Sequence, residues 1–302
     1  MTNQPFRIAI TGPSGLIGSR LAADLRTAGH TVYPLRRATT STTNECTWNP
    51  DTGQLSTPEP PDILLHLAGR SVATRWTAKA KSEIYNSRVP ATEKLAQHLA
   101  TLPRSNRPKL LLSTSAVGIY GNRGDELLTE SSPPAPPKTS FLADVCRAWE
   151  AATQPAEAAG IPTLHLRFGV VLAKSGGALA KMLLPTKLGL AGPIGPATQF
   201  LPWISLTDLS RLIQFLIAAP LTGPLNIVAP NPVRQHEFIR TLATLLHRPA
   251  LFPMPTPLVK LAFGQMGQEM LLASQRVIST RLPADFHFLH PTLESALRAE
   301  LA

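Results

Sequence analysis

The chain has two cysteines, Cys46 and Cys146, and three tyrosines in 302 residues. Two isolated thiols exclude a disulfide framework and point to a reducing, cytoplasmic setting. No apolar run approaches the ~20 residues of a membrane span. The opening MTNQPFRIAITG has none of the charged, apolar and small-residue blocks of a secretory signal. Acids are scarce, 19 against 29 Lys and Arg, which leaves a net charge of +10. Such a charge suits nucleic acid, but there is no zinc-finger spacing and no basic block with interleaved aromatics. The densest basic stretch, RWTAKAKSEIYNSR (75–88), reads as a solvated helix. Attraction of a phosphorylated small ligand is the favoured meaning of the charge, beside plain solubility. The eight His lack metal-ligand spacing, and no G-x-S-x-G elbow of a serine hydrolase is present. Prolines gather between periodic segments, as in TPEPPD (57–62) and SSPPAPPK (131–138), and mark loops.

What is present is an alternation of strands and helices. FRIAIT (6–11), TVYPLRR (31–37), DILLHLAG (62–69), KLLLSTSA (109–116) and TLHLRFGVVL (163–172) read as strands. Helical patterns fill the intervals at 16–30, at 77–102 with Pro90 as a kink or break, and at 141–154. The expected fold is α/β, a Rossmann-type doubly wound parallel sheet with a smaller, partly interleaved C-terminal domain. Residues 1–170 form the nucleotide domain, with 204–230 folding back onto it; 171–203 and 231–302 form the smaller part.

ITGPSGLIGSR carries Gly12, Gly15 and Gly18 between the first strand and a helix. Glycines there permit a tight turn and close backbone approach to a pyrophosphate, and the helix N–H groups point at its charge. At the end of the second strand an NAD site places an acid for the ribose 2′-OH. This chain has Leu35–Arg36–Arg37 instead. A guanidinium pairs with a 2′-phosphate, so NADP(H) is the expected cofactor.

These residues resemble an extended short-chain dehydrogenase/reductase: TGPSGLIG its phosphate loop, HLAG (66–69) the strand beside the cofactor, STSAVGIYG (113–121) the serine-bearing strand end. More narrowly, the chain is similar to the atypical epimerase-family branch typified by the YfcH-like proteins, through RWTAKAKSEIYNSRVPAT (75–92), FLADVCRAWE (141–150), 166–195, FLPWISLTDL (200–209) and LLASQRVISTRL (271–282). The resemblance implies that Gly12, Gly15, Leu16, Ile17 and Gly18 meet the pyrophosphate. Leu35 and Arg36 would lie at the adenosine ribose. Leu67, Ala68 and Gly69 would line the cofactor, with Glu83 and Arg88 near it and Val171 beside the nicotinamide. Arg88 stands where the wider superfamily has Asn, and suits a phosphate-bearing ligand or the C-terminus of a helix.

The resemblance also implies a Tyr-x-x-x-Lys acid–base pair, and none of Tyr33, Tyr85 and Tyr120 has Lys four residues on. Phe141 and Val145 stand in its place, on a helix whose apolar face carries Phe141, Val145 and Trp149 and whose Asp144, Arg147 and Glu150 point elsewhere. Ser115 and Tyr120 remain as proton-donor candidates, with a packing role as the alternative for Tyr120. Asp125, Glu126 and Glu130 read as solvated. Arg75, Trp76, Arg167, Gln199 and Trp203 are substrate-pocket candidates; Asp208 resembles a structural Asp. The chain is therefore expected to be an NADP(H)-dependent oxidoreductase or epimerase acting on a small hydroxylated or nucleotide-linked substrate with an unusual proton donor. The alternative is a non-catalytic NADP(H)-binding regulatory or partner-binding protein, as in relatives linked to cell division. The expected partner is a small molecule rather than nucleic acid or membrane, with a homodimer left open.

Overall fold

The computed structural model describes residues 5–38, 45–219 and 221–302. In chain order the first part is β1 (Arg7–Thr11), α1 (Leu16–Thr27), β2 (Thr31–Arg37), β3 (Thr47–Trp48), β4 (Leu55–Ser56), β5 (Ile63–His66), α2 (Ala78–Asn86), α3 (Val89–Thr101), β6 (Leu110–Ala116), β7 (Leu127–Leu128), α4 (Phe141–Ala151), α5 (Gln154–Ala158) and β8 (Thr163–Phe168). There follow β9 (Val170–Ala173), α6 (Gly177–Lys187), β10 (Phe200–Leu201), β11 (Trp203–Ser205), α7 (Leu206–Leu216), β12 (Gly223–Ile227), β13 (Val233–Arg234), α8 (Gln235–Leu245), α9 (Thr256–Met270), β14 (Arg276–Val277) and α10 (Leu293–Leu301).

Eight strands form one sheet in the order β12-β8-β6-β5-β1-β2-β3-β4, parallel throughout except for β3 and β4. Helices must cover both faces of such a sheet, and its central strands are accordingly continuous apolar runs rather than alternating ones. Ile63–His66 is buried at every position. One face packs Ile8, Ile10, Leu65 and Leu112 against Leu21 and Leu25 of α1 and Leu209, Leu212 and Leu216 of α7. The other packs Ala9, Leu64 and Leu111 against Leu95 and Leu99 of α3. Each fully buried Leu or Ile contributes about 1.5–3 kcal/mol. The chain runs outward from β1 in both directions, to β2 on one side and β5 on the other, so a crevice opens at the carboxyl ends of these two strands.

The C-terminal half divides. Segment 206–227 returns to the sheet: α7 packs against α1 and β12 pairs with β8. A separate core gathers Leu179 and Leu183 of α6, Phe238, Ile239 and Leu242 of α8, and Leu293, Ala296 and Leu297 of α10 around Trp203.

The break expected near Pro90 is present and falls just before it, at Ser87–Arg88; Pro90 itself sits in the first turn of α3, where its missing N–H costs nothing. Two other local expectations are corrected. Residues 163–172 are two strands broken at Gly169, where a side chain would stand 2.9 Å from the carbonyl oxygen of Pro202; β9 pairs with β11 instead of extending the sheet. Helix α4 ends at Ala151, short of 154.

Candidate functional site

The turn from β1 into α1 is built from glycines for steric reasons. Gly12 has φ +69°, and a side chain there would press on the Leu67 carbonyl at 3.1 Å. A Cβ on Gly18 would stand 2.2 Å from the carbonyl oxygen of Gly12, so the helix can begin this close to the loop only with glycine. Gly15 is exposed, opens α1 and carries no side-chain cap, so no capping side chain occupies the first N–H groups of the helix. Leu16 packs under Gly176, and Gly177 lies against the Val171 carbonyl, so the β9–α6 turn closes over the phosphate loop. Leu35 is buried at the end of β2, and Arg36 beyond it is exposed. This cradle fits a dinucleotide: backbone amides where a pyrophosphate would lie, and a guanidinium one strand away.

Across the crevice, Thr11 Oγ1 accepts the N–H groups of Leu67 and Ala68 at 3.1 and 3.2 Å and lies 2.8 Å from His66 Nδ1. With both lone pairs engaged, the Thr11 hydroxyl donates to Nδ1, which leaves the imidazole hydrogen on Nε2 to reach Thr92 Oγ1 at 2.9 Å. Complete burial holds this ring neutral and lowers its pKa to about 4. Thr92 also accepts the Trp149 indole N–H at 2.9 Å. Over that indole, at 5.0 Å, lies the Arg88 guanidinium, with its edge at Gly69. Arg88 donates to the Ile84 carbonyl and the Ser87 hydroxyl, and among the described residues it has no carboxylate partner. Burial lowers its pKa, which is the electrostatic signature of a cation kept without an anion. Glu83, by contrast, is spent on Arg70 at 2.8 Å.

Ser115 and Tyr120 belong to a closed polar network. Ser115 is 1% exposed and donates to Glu150 Oε1 at 2.7 Å. Arg167 places Nε and Nη2 on the two Glu150 oxygens, both at 2.8 Å, and Nη1 on the Tyr120 oxygen at 2.9 Å. Tyr120, 0% exposed, turns its hydroxyl toward Asn226 Oδ1 at 2.8 Å and the Thr129 carbonyl at 2.9 Å. Burial raises the phenol's pKa, and burial with Glu150 beside it pushes the Cys146 thiol up to about 12. Neither hydroxyl offers a surface to a ligand in this arrangement. Glu150 is the network's hub, and the reading that turned it away from the helix's buried side is corrected: its side chain is 13% exposed. Its position one residue after the buried Trp149 concealed it, and its partners Ser115 and Arg167 come from distant segments. Glu130 is corrected likewise. It is buried and accepts from Asn226 N, Ser279 Oγ, Thr280 N and Thr280 Oγ1 at 2.5–3.0 Å.

Of the remaining pocket candidates, Arg75 is exposed and Trp76 bonds the Val72 carbonyl while meeting the Phe141 ring edge-on at 5.1 Å. Gln199 gives both amide hydrogens to the Ile194 and Leu271 carbonyls, and Trp203 is 1% exposed inside the second core. Asp208 is a brace, accepting the Leu289 and His290 N–H groups at 2.7 and 2.9 Å.

A glycine-lined loop at the switch point of a parallel sheet defines a dinucleotide-binding protein of the Rossmann type. The chain belongs to the NAD dependent epimerase/dehydratase family, whose model matches residues 8–228; residues 254–300 match a domain of unknown function (DUF1731). It is similar to "Epimerase family protein Mb2239" of Mycobacterium bovis, 38% identical over 96% of both chains. "Epimerase family protein YfhF" of Bacillus subtilis is 35% identical over 98% of each. Among solved structures, human epimerase family protein SDR39U1 (isoform 2) with NADPH superimposes with a TM-score of 0.87, at 32% identity over 97% of this chain and 98% of that one.

Proposed function

We propose that the protein is an NADP(H)-dependent oxidoreductase or epimerase acting on a small hydroxylated or nucleotide-linked substrate. The observation that carries the cofactor is Arg36, exposed at the end of β2 where an NAD site would hold a carboxylate. The similarity to a human protein crystallised with NADPH supports the same reading. Gly12, Gly15, Leu16, Ile17 and Gly18 hold the pyrophosphate, Leu35 and Arg36 the phosphorylated ribose, Leu67, Ala68, Gly69 and Arg88 the crevice wall, and Val171 the nicotinamide end. Bound there, the cofactor supplies or accepts hydride. Residues 1–170 with 204–230 make the cofactor domain, and 171–203 with 231–302 the substrate lobe.

One observation favours a second reading, a non-catalytic NADP(H)-binding protein: Phe141 and Val145 carry no exchangeable proton, while Ser115 and Tyr120 are sealed in their network. Two measurements decide. Titration of NADPH against NADH tests the cofactor, and NADH binding as tight as NADPH sinks the role of Arg36. NADPH oxidation across aldehydes, ketones and nucleotide sugars, with isotope exchange to reveal epimerisation, tests turnover; silence throughout selects the non-catalytic reading.

A further inference from the structure

The ring of Phe141 has a charged neighbour that the sequence did not single out. The Lys81 ammonium, reaching over from α2, lies 5.3 Å from the ring centroid, and Trp76 meets the same ring from another side. Lys81 is half-buried and bonds Gln265 Oε1. Gln265 Nε2 in turn donates to Glu269 Oε1 at 2.7 Å. Glu269 then closes the circuit: its oxygens accept Phe141 N at 3.1 Å, Leu142 N at 3.0 Å and the Ser140 hydroxyl at 2.7 Å. The start of α4 and the ammonium above it are thus held in mutual register through α9.

The circuit fixes the lysine without neutralising it. An amide stands between ammonium and carboxylate, its orientation dictated by a cation on its oxygen and an anion on its nitrogen. Among the described residues Lys81 has no ion pair, and only one of its three N–H donors has a hydrogen-bond partner. No other Lys or Arg among the described residues lies over the Phe141 ring.

We propose that Lys81 is the proton donor of this site, taking over from the second helix the task that the first residue of α4 cannot perform. The proposal rests on the oxidoreductase reading. As hydride from NADPH adds to the carbonyl carbon of an aldehyde or ketone, the C=O π pair moves to oxygen, and that oxygen takes a proton from Lys81 Nζ. The half-buried amine recovers a proton from water. In sum, carbonyl compound, NADPH and one proton give alcohol and NADP⁺. The Phe141 ring lies beside the ammonium and the Trp76 ring backs it edge-on, so the substrate class is a carbonyl compound with an apolar or aromatic group next to the carbonyl.

Two arms test it on the full chain. In the first, 4-carboxybenzaldehyde with cyanoborohydride alkylates lysines, and peptide mapping reads their rates. A half-buried lysine ordinarily reacts more slowly than an exposed one. Modification of Lys81 at about ten times the rate of exposed Lys79 is expected if a seated carbonyl meets the amine. A rate no greater than that of Lys79 overturns the proposal. In the second arm, NADPH oxidation is followed with benzaldehyde, acetophenone and a short aliphatic ketone. Lys81→Gln should lose about 100-fold or more in kcat, the usual worth of a general acid, with the NADPH Kd unchanged, and Lys79→Gln should lose nothing. Full activity in Lys81→Gln overturns Lys81 alone. A silent wild-type protein whose Lys81 still alkylates first overturns the oxidoreductase reading, and the proton transfer with it.

Discussion

Arg167 and Glu150 face each other as a bidentate pair, Nε and Nη2 each 2.8 Å from a separate carboxylate oxygen, with side-chain exposures of 6% and 13%. Burial works against the arginine's charge, and the carboxylate outweighs it, so the guanidinium pKa lies above its ordinary value. The pair holds Ser115 through Glu150 Oε1 and Tyr120 through Arg167 Nη1, and so ties β6, α4 and β8 together. Arg167→Met leaves a buried carboxylate without its cation. Breaking such a pair costs about 3–5 kcal/mol, whereas replacing both partners by apolar groups is often neutral. Urea unfolding should show that loss for Arg167→Met and for Glu150→Gln a smaller one, with Glu150→Met/Arg167→Met recovering most of it. A double variant no more stable than the singles would show that the network does not act as a pair.

His66 makes stability depend on pH. Its folded pKa, about 4, lies below the unfolded value of ~6.5, so between these limits the unfolded chain binds the extra proton. Stability from this residue is complete above the unfolded value and is lost as pH falls toward 4. At 1.36 kcal/mol per unit the loss amounts to roughly 3 kcal/mol across the window. Unfolding free energies at several pH values should therefore fall more steeply between pH 6.5 and 4 in the wild-type chain than in His66→Gln. Parallel curves would remove His66 as the source.

The sheet and the phosphate loop were legible because they rest on local signals: apolar runs with period, glycines at fixed offsets, an absent acid after β2. Arg36 is readable for the same reason. Glu150, Glu130 and Lys81 were not, since each acquires its role from segments 17 to 184 residues away in the chain. Helical periodicity assigned Glu150 to solvent because charge next to a buried Trp normally lies outside; only the approach of β8, bringing Arg167, makes the inward position affordable. Glu269 was equally invisible, for nothing in MGQEM announces a carboxylate that caps a helix begun at Phe141.

Gly18 is the position where the cradle is least tolerant. The Cβ of alanine would stand 2.2 Å from the Gly12 carbonyl oxygen and 3.0 Å from its carbon, both backbone atoms that cannot swing aside. Relief requires the loop to move off the start of α1, which displaces the amides that would receive a pyrophosphate. Gly18→Ala should lose NADPH binding by about 100-fold or more, the worth of two or so charge-assisted hydrogen bonds, while the far-ultraviolet circular dichroism stays that of the wild type. Gly29, where nothing lies within 4 Å of an added Cβ but φ is +89°, serves as the comparison: Gly29→Ala should cost stability and leave the NADPH Kd alone. Unchanged binding in Gly18→Ala would place the dinucleotide elsewhere.

Arg36 is the residue proposed to separate the two nicotinamide dinucleotides. Its side chain is exposed beyond the buried Leu35, and the neighbouring Arg37 is exposed as well. A charge-assisted hydrogen bond contributes about 1.5–3 kcal/mol, and each 1.4 kcal/mol is tenfold in Kd. Arg36→Ala should thus weaken NADPH by about 10–100-fold and leave NADH nearly as it was, because NADH brings no 2′-phosphate to that strand end. Arg36→Glu should go further and invert the preference, since a carboxylate repels the phosphate and accepts a ribose hydroxyl. The effect on NADPH should shrink as salt is raised, because the group lies in solvent. Titration by NADPH fluorescence and by competition with 2′,5′-ADP reads both terms. If 2′,5′-ADP binds Arg36→Ala as well as the wild-type chain, the 2′-phosphate is held by another residue, with Arg37 the first to exchange.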